Sequence, residues 1–164
     1  MKKVSFLIAI LAVIGTVVSS QSWAGKLGDT APALNVSEFV KGNAVDVTDG
    51  GTYVVEFWAT WCPPCRTSIP HLTELQEKFK DKNVTFVGVS QEGLNTVKPF
   101  VKEMGESMDY TVAVDQNGQT TSAYLAPFGV RGIPHAFVVK DGKLAWHGHP
   151  MDGLAEELES ITAN

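Results

Sequence analysis

Residues 53–65 read Tyr-Val-Val-Glu-Phe-Trp-Ala-Thr-Trp-Cys-Pro-Pro-Cys, an apolar run that ends in a cysteine pair separated by two prolines. Thr52 to Ala59 reads as a strand with apolar side chains at nearly every position. Both faces of such a strand must be covered, as at the centre of an α/β sheet. Beyond the pair, Ile69, Leu72, Leu75 and Phe79 recur at helical spacing and predict a helix from Cys62 to about Lys80. Pro70 lies inside it and should kink it by removing a backbone donor. A buried strand feeding a helix through a short turn fixes a layered α/β arrangement, with the cysteines at the join.

The remaining chain fits that arrangement. Gly25 to Ala33 reads as an extended lead-in, because Pro32 discourages helix. Ser37–Val40 and Ala44–Val47 read as short strands of an N-terminal hairpin around Gly42-Asn43. Val84–Val89 is a second buried strand, Leu94–Met104 a helix, Tyr110–Val114 a third strand and Thr121–Leu125 a short helix. Ala136–Val139 and Lys143–His147 form a hairpin about Asp141-Gly142, and Gly153–Ile161 closes the chain as an amphipathic helix. No repeat, low-complexity tract or linker interrupts the pattern, so one domain is expected.

The first residues are of another kind. Lys2 and Lys3 precede an apolar run from Val4 to Val18, and Ser22-Trp23-Ala24 supplies small residues for cleavage after Ala24. Residues 1–24 therefore read as a secretory signal peptide, with 25–164 as the exported domain. An uncleaved N-terminal membrane anchor is the alternative, since the run approaches the length that spans a bilayer. Once cleaved, the chain has no segment expected to insert stably in a membrane. A periplasmic or otherwise exported location follows. The net charge is −5 with no basic run, which argues against nucleic acid and anionic membrane surfaces as partners.

Export changes the meaning of Cys62 and Cys65, the only cysteines. Structural disulfides are common outside the cytosol, but so short a loop gains little entropy from cross-linking. A structural zinc site needs four ligands, usually from a second pair, and there is none. A redox dithiol is the favoured reading, with a structural disulfide and half of a metal site as the alternatives. Cys62 falls at a helix N-terminus, where free N–H groups and the helix dipole stabilise a thiolate, so it is the expected nucleophile. Cys65, one turn on and more buried, is expected to resolve the mixed disulfide. Pro63 and Pro64 carry no N–H and withhold two donors from that thiolate.

Other residues join them. Glu56 is the lone acid of the central strand; burial would raise its pKa and equip it to accept the proton of Cys65. Pro134, in Arg131-Gly132-Ile133-Pro134, belongs at a strand start; a cis Ile133–Pro134 bond would expose the Ile133 backbone to an extended substrate. Trp61 should partly cover the Cys62 sulfur, Trp58 should be core, and His135 is placed at the substrate groove. His147 and His149 could bind copper or zinc, but such a pair is more often a polar strand end; His71 is expected on the solvated side of its helix.

Taken together, residues 56–65, Pro70 five residues after Cys65, and Gly132-Ile133-Pro134 resemble the thioredoxin superfamily. The lead-in Leu27-Gly28-Asp29-Thr30-Ala31-Pro32 and the stretch from 84 to 130 resemble its exported redoxin branch, the TlpA/ResA-like proteins. The resemblance implies a thioredoxin-like α/β fold: a central mixed sheet flanked by helices, with extra N-terminal strands and a strand–helix insertion. It implies Cys62, Cys65 and Glu56 as catalytic residues, a redox-active Cys62–Cys65 disulfide and a cis Pro134. Trp61, Pro63, Pro64, Ile133, Pro134 and His135 are then the substrate-contacting set. The expected activity is thiol–disulfide oxidoreduction without a cofactor or metal, reducing disulfide-containing client proteins and recharged by a membrane thiol electron donor. Ser68 stands where cytochrome-maturation members tend to carry glutamate, and Glu56 stands where they often lack an acid. Both favour a general reductase. The alternatives are an exported copper chaperone using the cysteines and a histidine, or a thiol peroxidase, although Cys62 lacks the Pro/Thr-rich peroxidatic setting.

Overall fold

The computed structural model describes residues 24–163, so the expected signal peptide lies outside the described residues except for Ala24. Strands β1 (Val36–Lys41), β2 (Thr52–Trp58), β3 (Val84–Ser90), β4 (Thr111–Asp115), β5 (His135–Lys140) and β6 (Lys143–Gly148) form one mixed sheet. Helices α1 (Pro63–Phe79), α2 (Leu94–Met104), α3 (Gln119–Leu125) and α4 (Leu154–Thr162) cover its faces. The spatial order is β1-β4-β3-β2-β5-β6. Strand β2 runs parallel to β3 and antiparallel to β5, and β3 runs parallel to β4. Crossover through α1 and α2 is what parallel neighbours require.

Alternation along β2 divides the core. Val54, Glu56 and Trp58 point to one face, and Tyr53, Val55 and Phe57 to the other. The first face packs under α1, α2 and α4 through Ile69, Leu72, Phe79, Val97, Leu154 and Leu158. The second packs under α3 and the lead-in through Tyr124, Leu125 and Ala31. A strand with both faces covered is what the unbroken apolar run demands.

Two expectations are corrected. The N-terminal hairpin does not form: β1 pairs antiparallel with β4, from Val36 opposite Asp115 to Lys41 opposite Val112. Residues 44–47 form no strand. Their alternation resembles one, but Asp46 accepts from both the N–H and the hydroxyl of Thr48, at 2.9 and 2.6 Å, and bends the chain into a turn. The lead-in is not extended throughout: a turn closes at Lys26–Asp29, where the Asp29 N–H reaches Lys26 O at 3.1 Å, and the chain then lies against the start of β6, with Gly28 N–H on Leu144 O at 2.7 Å and Leu144 N–H on Asp29 O at 2.9 Å.

Candidate active site

Helix α1 begins at the cysteine pair for a local reason. Cys62 is its N-cap, and Pro63 and Pro64 occupy the first two positions. Their missing N–H groups are ones that a helix start leaves unpaired anyway. The first amide able to serve the cap is that of Cys65, which donates to Cys62 Sγ at 3.2 Å. The two cysteines are joined by a disulfide, with Cα atoms 5.3 Å apart. Both are buried, Cys62 almost as deeply as Cys65. Pro70 lies within α1, where it leaves the Arg66 carbonyl without its helical donor.

Two segments converge on the pair and the loop before it. From the β5 side, the Ile133–Pro134 bond is cis, and the Ile133 carbonyl oxygen lies 3.6 Å from Cys62 Sγ. Neither sulfur carries a hydrogen in the disulfide, so this is a contact that becomes a hydrogen bond only with a reduced Cys62 thiol. From the β3–α2 segment, Glu92 grips the loop before the cysteines: Thr60 donates its N–H to one carboxylate oxygen at 2.6 Å and its hydroxyl to the other at 2.8 Å. Trp61 follows, 69% exposed, so it stands out from the surface beside the pair. A groove of about 590 Å³ adjoins it, lined among others by Gln91, Thr121, Leu125, Arg131 and Ile133. Pro63 and Pro64 are exposed on the same end of the molecule, and Pro134 is buried.

Behind the cysteines sits Glu56, 1% exposed. Burial pushes its carboxyl up from 4.5 to about 7, against the opposing influence of hydrogen bonds from Tyr110 and Ser68. Tyr110 Oη donates to Oε2 at 3.1 Å, and Ser68 Oγ lies 3.2 Å from Oε1. The reciprocal effect on Tyr110 is an upward shift, from burial first and the Glu56 charge second.

His135 lies elsewhere. It leaves the groove and puts Nε2 3.0 Å from His147 Nδ1, in a cluster with Phe137 and Phe128 on the α3 face. Burial, and then the charges of His147 and His149, push its pKa down to about 4. Among the described residues no group of three or more His, Cys, Asp or Glu side chains is placed to hold a metal. Trp58 is core as expected, and His71 is partly buried on α1 rather than fully solvated.

Sequence reasoning did not find Thr60, Glu92 or Tyr110, and it met Ser68 only as a departure from a pattern. Ser68 had a visible signal, since it shares the buried helical spacing of Cys65, Ile69 and Leu72. Tyr110 and Glu92 act across 54 and 32 residues of chain, and no local pattern marks them.

The Redoxin family matches residues 26–157. The chain belongs to that family. Among its relatives, the thiol-disulfide oxidoreductase ResA of Bacillus thuringiensis subsp. konkukian is 31% identical over 144 residues, covering 84% of this redoxin and 79% of the relative. The ResA of Oceanobacillus iheyensis is 33% identical over 127 residues, covering 72% and 65%. A thiol:disulfide interchange protein from Bacteroides sp. superposes with a TM-score of 0.70 at 27% identity, covering 85% of this chain and 91% of that one. A structure titled putative thiol:disulfide interchange protein DsbE, from Chlorobium tepidum, gives 0.69 at 28%, covering 84% and 98%. This redoxin is a thiol–disulfide oxidoreductase with a thioredoxin-like fold and a Cys62–Cys65 redox pair.

Proposed function

We propose that this redoxin is an exported reductase of disulfides in client proteins. The observation that carries it is a fully buried acid, Glu56, on the same face as a disulfide at the start of α1. A structural disulfide gains nothing from such an acid, whereas a cycling dithiol needs a place for a proton.

The cycle starts from the dithiol. The Cys62 thiolate attacks one sulfur of a client disulfide, the S–S bond breaks, and the departing client thiolate takes a proton from water. Cys65 then gives its proton to the Glu56 carboxylate and attacks Cys62 Sγ. The second client thiolate leaves and is protonated. The client gains two electrons and two protons, and Cys62–Cys65 is left oxidised. A thiol electron donor in the membrane would return the dithiol. Ile133 and Pro134 supply backbone beside Cys62 for an extended client, with Trp61, Pro63 and Pro64 as the surrounding surface; His135, engaged with His147, is not carried forward. Export rests on Lys2, Lys3, the apolar run and the small residues ending at Ala24.

Reduction of insulin disulfides, followed by turbidity with dithiothreitol as reductant, is the test. Wild type should accelerate precipitation and Cys62→Ser should not; equal inactivity of both with several reductants would sink the activity. Direction is read from the reduction potential of the pair. A value near about −270 mV fits a reductase, and one near about −120 mV an oxidant.

A further inference from the structure

Glu56 is met by two hydroxyls from separate parts of the fold. Tyr110, just before β4, donates to Oε2 at 3.1 Å. Ser68, one helical turn after Cys65, has Oγ 3.2 Å from Glu56 Oε1 and 3.0 Å from the Cys65 carbonyl oxygen. Ser68 has a single hydrogen for these two acceptors. While Glu56 is a carboxylate, that hydrogen belongs on Oε1, the charged acceptor. Once Glu56 is protonated on Oε1 it donates to Ser68 Oγ, and the serine hydrogen turns to the Cys65 carbonyl. Glu56, Ser68 and Tyr110 each keep a hydrogen-bond partner in both states, and the change between them is one hydroxyl rotation.

Space is kept for this arrangement. Glu56 lies opposite Gly88 on β3 and Ala136 on β5. A Cβ on residue 88 would lie 3.0 Å from Tyr110 Cε2 and 3.0 Å from Trp58 Nε1. The tyrosine ring therefore reaches Glu56 over the place where a side chain is missing. The groups facing Glu56 from the packed elements are Gly88, Ala136, Ser68 and Tyr110, none with a fixed charge, and the cysteine pair lies in the same core cluster as its strand neighbours Val54 and Trp58.

We propose that Tyr110 and Ser68 are positioning residues for the resolving step, holding the Glu56 carboxylate in its proton-accepting form and re-pairing when the Cys65 proton arrives. The proposal rests on Glu56 as that acceptor. The Cys65 S–H bond breaks, its proton bonds to a Glu56 oxygen, its electron pair forms the bond to Cys62, and the client sulfur leaves with the old bonding pair.

The experiment is stopped-flow reaction of the reduced protein with the chromogenic disulfide 5,5′-dithiobis(2-nitrobenzoate). A first release of coloured thiolate reports attack by Cys62, and a second reports resolution by Cys65. In wild type the second rate should rise with pH as Glu56 ionises, and a later rise from direct ionisation of Cys65 should be common to all variants. Tyr110→Phe and Ser68→Ala should each move the first rise up by about one pH unit, and slow resolution about tenfold below it, the size expected for losing a hydrogen bond to a charge. The first release should be unchanged, and Ser68→Thr should keep the wild-type profile. In a Glu56→Gln background Tyr110→Phe should be silent. An unmoved rise in both single variants, or a slowing by Tyr110→Phe that persists in the Glu56→Gln background, overturns the proposal. If Glu56→Gln leaves the wild-type profile intact, the acceptor role itself is lost and the proposal with it.

Discussion

Glu56 sits where burial opposes its charge and two hydroxyls support it. Burial is the larger influence, and the carboxyl is raised from 4.5 to about 7. In the unfolded chain the acid loses its proton near 4.5; in the folded protein it keeps it to about 7. Between those values the folded state binds more protons, so stability falls as pH rises. The stabilisation is fully present below 4.5 and lost as pH passes through about 7, a change of ~3 kcal/mol. Glu56→Gln should flatten this slope and make the protein more stable at pH 8 by up to ~3 kcal/mol, read from urea unfolding at a series of pH values. A variant as pH-sensitive as wild type would show that another group is responsible. On the proposed role, the residue weakens the fold in exchange for chemistry, a trade that functional sites often make.

At the scale of elements, the joint between β4 and α3 holds one wall of the groove. Gly118 at the α3 N-cap has no side chain to offer. Asp115, buried at the end of β4, serves instead: Oδ1 accepts the Thr120 N–H at 3.0 Å, and Oδ2 accepts the N–H and hydroxyl of Thr121 at 2.8 and 2.6 Å. Asp115→Ala should cost ~3 kcal/mol in urea unfolding, because it strands those donors. It should also raise KM for a peptide disulfide, since Thr121 and Leu125 line the groove. Asp115→Asn should recover part of both. Elements of this kind were legible where hydrophobic period and turn residues agree: β2, α1, β3, α2 and the β5–β6 hairpin all fall within a residue or two of expectation. The misread stretch, 44–47, alternates like a strand but obeys a side-chain turn at Asp46. The partner of β1 could not be read locally, because β4 lies more than 70 residues away. The site divides the same way. The cysteine pair, Glu56 and Pro134 announce themselves by composition at a strand end, while Glu92 and Tyr110 matter only through the fold that brings them in.

Over the whole molecule, the lead-in and β1 form a strap. Gly25 N–H bonds Pro127 O at 2.8 Å; the chain then runs past the start of β6, with Ala31 N–H on Gly142 O at 2.9 Å. It passes α3, where Tyr124 Oη donates to Pro32 O at 2.8 Å and Asn35 N–H to Thr120 Oγ1 at 2.8 Å, and becomes β1 on the far side of the sheet. Gly25 is held closely: a Cβ there would lie 2.4 Å from the Phe128 ring. Gly25→Val should therefore lower the melting temperature by several degrees, at about 1–3 kcal/mol for overpacking, in a thermal scan of residues 24–164. The same strap has a colloidal consequence. An open outer strand presents a row of unpaired N–H and C=O groups, which is a template for joining another chain. At the start of β6 that row is occupied by residues 28–31, which pair with Gly142 and Leu144. Along β1 the register shifts twice, and Glu38 and Lys41 put charge on the rim. Deleting residues 25–31 should leave a protein whose light scattering grows with concentration while the intact chain stays clear. The strap thus keeps the start of this outer strand from becoming the start of a fibre.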